Sequence, residues 1–338
     1  MTVRVVVLNW NGQRWLDGCL SALMRQTRPP EEIIVVDNAS TDDSLAHLRA
    51  AWPAIRVVAL PSNVGFAAGN NRGADDARTD ALVFLNNDTE VESGWLDALV
   101  RAAEADPHRG LVTSRIVYLD RPDVIDSAGD GYLRCGGGFK HGHGQSSASQ
   151  TNSREVFGAC GAAFLIRRPL FERLGGFDES FFMVYEDVDL SYRARLVGAQ
   201  VWYAADAVVR HAGSASMGRV SDLAVYCGQR NLEWTWVKNT PRGLLWRSLV
   251  PHLVYNVAGC AAYTRHGRLA PWIRGKIAAL AGMPRLLRAR KVTQATRTAP
   301  NQDLWDRMEA DWVGVKRREK QFSFRPPDSI EHHHAPDQ

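Results

Sequence analysis

The densest run of chemically useful side chains is Glu186-Asp187-Val188-Asp189, three acids in four residues. It opens a segment in which Leu190, Tyr192, Arg193 and Leu196 recur at helical spacing, and it follows the aromatic and apolar run Phe181–Tyr185. Acids in a first helical turn favour the N-terminal dipole by about 0.3–1 kcal/mol each, so capping explains part of the run. Three exceed what one cap requires. A carboxylate at the lip of an apolar wall suits a general base.

Three other positions carry comparable potential. Asn86-Asn87-Asp88 follows the hydrophobic run Ala81–Leu85. One carboxylate beside amides suits Mg²⁺ or Mn²⁺ that already holds phosphate oxygens and water; a plain strand-to-helix turn uses the same residue types. Asp37 ends a second β-branched run, where it either caps the next helix or accepts from a pyrimidine N–H. His211 follows Val208-Val209-Arg210 and precedes a Gly-Ser loop, as a structural histidine or as a metal ligand.

The elements that must position these groups alternate in type. Val3–Leu8, Ile33–Val36, Ile55–Leu60 and Ala81–Leu85 read as buried strands, with helical patterns around Trp15–Leu23, Leu45–Leu48, Phe66–Ala77 and Trp95–Val100. This rhythm predicts an α/β fold with a mainly parallel sheet flanked by helices, in which ligands sit at the carboxyl ends of the strands. The polar residues at those ends are Asn9 and Asn11, Asp37 and Asn38, and Asn86, Asn87 and Asp88. Residues 120–155, with Gly136-Gly137-Gly138, His141, His143 and a serine-rich run, read as a long loop. Helices are expected near Pro169–Leu174 and over Glu186–Val197, with short strands at Val201–Tyr203 and Ala207–Val209.

Composition bounds the answer. Of 338 residues, 45% are hydrophobic and 23% charged, which excludes a mainly disordered or collagen-like chain. Five cysteines share no CxxC spacing, which argues against a disulfide scaffold or zinc ribbon and for a reducing compartment. The opening MTVRVVVLNW has no secretory pattern. No GxxxxGK[ST] and no strand-linked GxGxxG occurs, which speaks against a Walker-type nucleotidase or a dinucleotide-dependent dehydrogenase. Charge is uneven: residues 1–233 hold 23 Lys/Arg and 29 Asp/Glu, whereas residues 234–302 hold 12 Lys/Arg and no acid. Such a block calls for an anionic surface or solvent; without an RNP-like, helix-turn-helix or zinc pattern, nucleic acid is not expected.

Taken in order, VVVLNWNG, VVDNASTDDS, NVGFAAGNNRG, FLNNDTEV, GGFDESFFMVYEDVDLSYRARLVG and RHAGS resemble the inverting family-2 glycosyltransferases of the GT-A fold, over about residues 3–214. Within that family the similarity is greatest to bacterial rhamnosyltransferase-like enzymes of surface polysaccharide assembly. The resemblance implies a nucleotide-sugar donor with Asp37 at the base, and Asn9, Asn38, Asn63, Asn70 and Arg72 around the nucleoside and diphosphate; Asn11 and Asn87 join them as strand-end amides. It implies Asp88 and His211 as ligands of a divalent metal, Mg²⁺ or Mn²⁺, with the motif reading NND where an earlier acid is usual. It implies Asp187 as the catalytic base, with Glu186 and Asp189 positioning it or the acceptor, and dTDP-L-rhamnose or a UDP-sugar as donor. A glycan or lipid-linked acceptor follows. The competing readings are a sugar nucleotidyltransferase, against which LNWNGQRW lacks the Gly-rich basic loop, and a non-catalytic nucleotide-sugar or glycan-binding protein.

Three regions are expected: a GT-A catalytic domain over 1–230, a basic amphipathic helical extension over 231–292, and a partly irregular tail over 293–338. The extension is expected to dock on an anionic membrane surface, with Trp234, Trp236, Trp246 and Trp272 in the interfacial layer and Leu244, Leu245, Leu249, Leu253 and Val257 as one apolar stripe. The alternative is that this stripe packs on the catalytic domain or in a homodimer. The expected location is cytoplasmic, peripheral at the inner face of the plasma membrane.

Overall fold

Val3, Val5, Val6 and Val7 are wholly enclosed, because the strand they form is covered on both faces. The computed structural model describes residues 1–213 and 221–323; Ser214 and the His332-His333-His334 run lie outside the described residues. The first half runs β1 (Val3–Asn9), α1 (Gln13–Met24), β2 (Glu32–Asp37), α2 (Ser44–Ala51), β3 (Arg56–Ala59), α3 (Gly65–Ala74), β4 (Ala81–Asn86), β5 (Thr89–Val91), α4 (Trp95–Glu104) and β6 (Arg109–Tyr118). It continues through β7 (Ile125–Ser127), β8 (Asp130–Tyr132), β9 (Gly138–Lys140), β10 (Arg154–Val156), β11 (Ala163–Arg167), α5 (Arg168–Leu174), α6 (Glu186–Leu196) and β12 (Gln200–His211). Six helices follow: α7 (Asp222–Asn239), α8 (Arg242–Arg265), α9 (Leu269–Ala281), α10 (Met283–Ala295), α11 (Asn301–Asp306) and α12 (Trp312–Ser323).

The main sheet has the order β10-β12-β6-β11-β4-β1-β2-β3, with β5 on β12 and β7 on β6. Strands β3, β2, β1 and β4 are parallel, and so are β6 and β12. Between them β11 runs antiparallel to both β4 and β6, so β3, β2, β1, β4, β6 and β12 share one direction and β11 is a reversed strand among them. A continuous apolar run reads alike in either direction, which is why its composition did not reveal the reversal. Side-chain alternation divides the core. Val3, Val5 and Val7 meet Leu16, Leu20, Trp95 and Leu99 on one face; Val6, Ile34 and Phe84 meet Phe164, Phe171 and Phe177 on the other.

Three expectations change. Residues 120–155 are not one long loop: β7 joins the sheet and β8–β9 form a hairpin, so this stretch delivers fixed side chains to the site. The short strands expected at 201–203 and 207–209 are one strand with a register shift between Ala204 and Val208. Beyond residue 293 order continues, since Leu304, Trp305 and Met308 pack with Tyr132 and Leu244, and Val315 packs with Leu133 and Cys135.

The apolar stripe of the extension also differs. Leu244 is buried in that cluster; Trp234 faces inward, donating to the Ala279 carbonyl (3.2 Å), and Trp236 stacks on His252 at 3.8 Å. Trp272 is half-buried, leaving Trp246 as the exposed member of the four. The exposed ridge of α8 consists of Trp246, Val250, Leu253, Val254 and Val257, and Ile277 and Leu280 of α9 are exposed as well. Among the described residues, no helix is long and apolar enough to cross a membrane.

Candidate active site

Parallel register brings the strand-end residues together. Asn9 lies beside Asp37, and Leu8 beside Asn86. Asn9 Nδ2 donates to Asp37 Oδ1 (2.9 Å), Ser40 N–H donates to Asp37 Oδ2 (3.1 Å), and Asn87 Nδ2 donates to Asn9 Oδ1 (2.6 Å). A polar seam thus runs along the carboxyl ends from Asp37 to the Asn86-Asn87-Asp88 turn. Gly12 is required beneath it, because a Cβ there would fall 1.9 Å from Asn87 Nδ2. Asn11, at φ 51°, accepts from Thr41 N–H (2.7 Å) and fixes the turn after β2.

Asn38 donates to Asn63 Oδ1 (3.0 Å) and accepts from Val64 N–H (2.9 Å), closing the loop before α3. Asn70 is buried; its Nδ2 donates to Phe66 O (3.0 Å), while its Oδ1 has no hydrogen-bond partner among the described residues. Arg72 is not brought to this seam. It lies half-exposed in the last turn of α3, between Asp75 (3.9 Å) and Glu179 (3.7 Å).

The second cluster is also assembled by strand pairing. His211, the last residue of β12, pairs with Thr89 of β5 and with Tyr118 of β6, and Ala212 N–H donates to Asp88 O (2.9 Å). The β6–β7 pairing sets Asp126 behind the same ring. His211 Nε2 is 3.2 Å from Asp88 Oδ1, and Nδ1 is 2.9 Å from Asp126 Oδ2. Burial disfavours the charged ring, but the hydrogen bonds to Asp126 and Asp88 outweigh it and raise its pKa to about 9. Lys140 Nζ donates to the other Asp126 oxygen (2.8 Å). Despite burial, the Lys140 charge and hydrogen bonds to His143 and His211 hold Asp126 well below the usual carboxylate range.

A carboxylate oxygen beside an imidazole nitrogen whose far nitrogen is tied to a carboxylate is a donor set that fits a divalent cation. Among the described residues, no group of three or more side chains could hold a metal ion. Asp88 and His211 therefore fit an ion that completes its shell with phosphate oxygens and water.

Asp187 sits in the first turn of α6. Its Oδ2 accepts from Gly161 N–H (2.8 Å) and its Oδ1 from Val188 N–H (2.7 Å). The next residue, Ala162, accepts from Asn86 N–H (2.9 Å), so adjacent residues hold the carboxylate and the Asn86–Asp88 turn. A Cβ on Gly161 would lie 2.9 Å from Asp187 Oδ2, which explains the glycine. Burial raises the Asp187 pKa against these two backbone donors. Burial and the neighbouring Asp187 charge push Asp130 and Glu186 well above the usual carboxylate range, whereas Asp187 has two backbone N–H donors that favour its charged form. Glu186 is buried, with Oε2 unpartnered among the described residues. Asp189 is placed elsewhere: fully enclosed, it binds Arg193 Nε (2.8 Å), Lys238 Nζ (2.7 Å) and Asn239 Nδ2 (2.8 Å), so it anchors α6 to α7 and does not face the cleft.

The approach to α6 is strained. Phe182, Val184 and Tyr185 have φ of 63°, 65° and 78°, a region that costs a non-glycine residue about 1–3 kcal/mol. Asn231 of α7 holds this tract by donating to the carbonyls of Phe181 (2.9 Å), Met183 (2.9 Å) and Val184 (2.6 Å).

Asp126, Asp130, Lys140, Gly161 and Asn231 were not singled out from sequence. The signal available was Asp126-Ser127-Ala128-Gly129-Asp130, two acids flanking a glycine at φ 86°.

The family model of glycosyl transferase family 2 matches residues 4–175. An N-acetylglucosaminyl-diphospho-decaprenol L-rhamnosyltransferase of Mycobacterium tuberculosis is 28% identical over 246 residues, covering 66% of this chain and 80% of the relative. In fold, the chain is similar to residues 1–349 of S. aureus TarS (TM-score 0.57, 15% identity, 95% of this chain and 92% of that one). It is also similar to a mannosyltransferase of Pyrobaculum calidifontis in complex with GDP-Man and Mn²⁺ (TM-score 0.51, 20% identity, 87% and 84%). With a mixed sheet flanked by helices, GT-A-like neighbours and a helical C-terminal region, the chain belongs to glycosyl transferase family 2.

Proposed function

We propose that the chain moves a sugar from a nucleoside diphosphate donor to a hydroxyl of a glycan or polyprenyl-linked acceptor in cell-surface polysaccharide synthesis, with inversion. The donor is dTDP-L-rhamnose in the first place, or a UDP-sugar. The name of the mycobacterial relative supports both the sugar and the lipid diphosphate acceptor. Asp37 receives the base N–H, and the Asn9–Asn87 seam carries the nucleoside toward Asp88. Asp88 and His211 hold the divalent ion, which when bound offsets charge on the leaving diphosphate. Asp187 takes the proton of the acceptor hydroxyl as its oxygen attacks the anomeric carbon; the bond to the diphosphate breaks in the same displacement, leaving no covalent intermediate on the protein.

The observation that carries this reading is the pairing of Gly161 and Ala162. One holds the Asp187 carboxylate and the other holds the Asn86–Asp88 turn, so adjacent backbone groups fix both the proposed base and the proposed leaving-group site.

The basic helices contact an anionic membrane surface through the exposed α8 ridge, at the cytoplasmic face, where nucleotide sugars and lipid-linked acceptors meet. Twelve basic residues without an acid over 234–302 support this, at about 1 kcal/mol for each that reaches the lipid.

The test is a donor panel read by nucleoside diphosphate release and by protection from thermal unfolding, with Asp187→Asn beside the natural chain. The expected result is pyrimidine-nucleotide protection in both and transfer lost only in the variant. Near-normal turnover of Asp187→Asn removes the base assignment, and protection by GDP-mannose alone removes the pyrimidine donor.

A further inference from the structure

Between the β8–β9 hairpin and α12 lies a cavity of about 340 Å³, within the range of small-ligand sites, about 300–1,000 Å³. Its wall is basic: Lys140, His141, His143, Arg154 and Arg318 contribute to it. The acid in the described lining, Glu319, is paired with Lys316 at 2.6 Å. Arg154 bonds to neutral acceptors, Gln150 Oε1 (3.0 Å) and Asn152 O (3.4 Å), and lies over the Tyr203 ring. Neither Arg154 nor Arg318 has a carboxylate within ion-pair distance among the described residues. Burial and the Arg154 charge lower the His141 pKa to about 4, so at neutral pH its ring is an uncharged hydrogen-bonding group.

The place of the cavity matters more than its charge. Lys140 lines it and also holds Asp126, whose other oxygen holds His211. Two residues earlier on the same strand, Gly138 N–H donates to the Tyr185 hydroxyl (2.9 Å), beside Glu186 and Asp187. On the far side α12 packs Trp312 against Tyr255 of α8 (5.5 Å), and α8 carries the exposed apolar ridge. The cavity thus shares β9 with the start of α6 and shares α12 with the helix that carries the apolar ridge.

We propose that this cavity binds the diphosphate of a lipid-linked acceptor, with Arg154 and Arg318 as its principal charges. An acceptor sugar at Asp187, a diphosphate in the cavity and a hydrocarbon chain along α8 would use these three neighbouring features. This inference rests on the proposed reading of a lipid-linked acceptor and assigns its anionic subsite.

The experiment uses the full chain with its donor site saturated by nucleoside diphosphate and Mn²⁺. Farnesyl diphosphate, inorganic diphosphate and vesicles of anionic phospholipid are titrated separately against the natural chain, Arg318→Gln and Arg154→Gln/Arg318→Gln. The expected result is saturable binding of farnesyl diphosphate, weaker binding of inorganic diphosphate, and at least a tenfold loss of both in the double variant. Arg318 is exposed on the last described helix, so its single substitution is read even if the double variant unfolds; a threefold or greater loss is expected there. Three results overturn the proposal: no farnesyl diphosphate binding, equal binding by the variants, or a loss confined to vesicles, which would make the arginines headgroup contacts. A loss in nucleoside diphosphate affinity instead would assign the cavity to the donor and also overturn it. Failure of the natural chain to bind any nucleoside diphosphate would defeat the transferase reading itself, a separate outcome.

Discussion

Replacing Asn231 by alanine tests how the site is held in place. The side chain is fully enclosed, and its amide nitrogen serves the carbonyls of Phe181, Met183 and Val184. Two N–H groups shared among three acceptors amount to about two hydrogen bonds, each worth about 1 kcal/mol net; Phe181 O keeps Arg230 as a donor (2.9 Å), whereas the Met183 and Val184 carbonyls lose theirs at about 1–3 kcal/mol each if left dry. Relaxation of Phe182, Val184 and Tyr185 out of the left-handed region offsets part of this. The balance is a destabilisation of about 2–4 kcal/mol. The chemical consequence is larger, because the freed tract leads directly into Asp187, and a displacement of about 1 Å can cost about 10²-fold in rate. The assay combines urea unfolding, turnover and nucleoside diphosphate affinity. Expected are a lower urea midpoint, kcat reduced about 10²-fold and an unchanged nucleotide Kd, since Asp37 and Asp88 stand on other elements. A stability loss below about 0.5 kcal/mol would refute the clamp; a normal kcat in a destabilised variant would refute its role in placing the base.

Three further outcomes follow from the same structure. Asp126→Asn removes the carboxylate behind His211 and should weaken Mn²⁺ binding about 10–100-fold, measured by titration with nucleoside diphosphate present; an unchanged affinity would detach Asp126 from the metal pair. Glu233 is partly buried, yet hydrogen bonds from His252 and Lys276 and the Lys276 charge lower its pKa to about 2. Its contribution, about 3 kcal/mol, is present above the unfolded pKa near 4.5 and is lost as pH falls toward 2; the difference in urea midpoint between the natural chain and Glu233→Gln should therefore shrink across that window, and a constant difference would remove the assignment. Leu253→Glu/Val257→Glu, on exposed positions of α8, should reduce co-sedimentation with anionic liposomes at low salt without lowering the thermal midpoint; unchanged binding would move the membrane contact off this ridge.

What the sequence disclosed depended on whether the signal was local. The strand-end residues Asn9, Asp37 and Asp88 were readable because a buried run followed by a polar cluster marks the end of a parallel strand wherever it pairs. Their convergence with His211 was not readable from spacing, because it depends on β12 pairing with β5. Asp189 misled for a related reason: two residues along a helix turns the side chain through more than half a circle, so an acid two positions from Asp187 faces α7 instead. Asp126, Asp130 and Lys140 went unnoticed because short strands in a glycine-rich stretch carry almost no periodicity. Trp234 and Trp236 looked interfacial by composition, but composition does not say which face of α7 meets α9 and which meets His252.

Asn86 is where the motif departs from the family pattern, and the structure places a carboxylate nearby in a different role. An acid at position 86 would add negative charge beside the proposed ion. Instead Asp126 stands one imidazole away, its charge balanced by Lys140 and directed through His211. A carboxylate behind a ligating imidazole raises its basicity without occupying a coordination position. On the proposed reading, an ion held by Asp88 and His211 would have more positions left for diphosphate oxygens and water, and its affinity would depend more on the donor arriving with it. Meanwhile Asn87 uses its amide to hold Asn9, and Asn9 holds Asp37. On the proposed reading, base recognition at Asp37 and the metal-side turn at Asp88 are joined through Asn9 and Asn87.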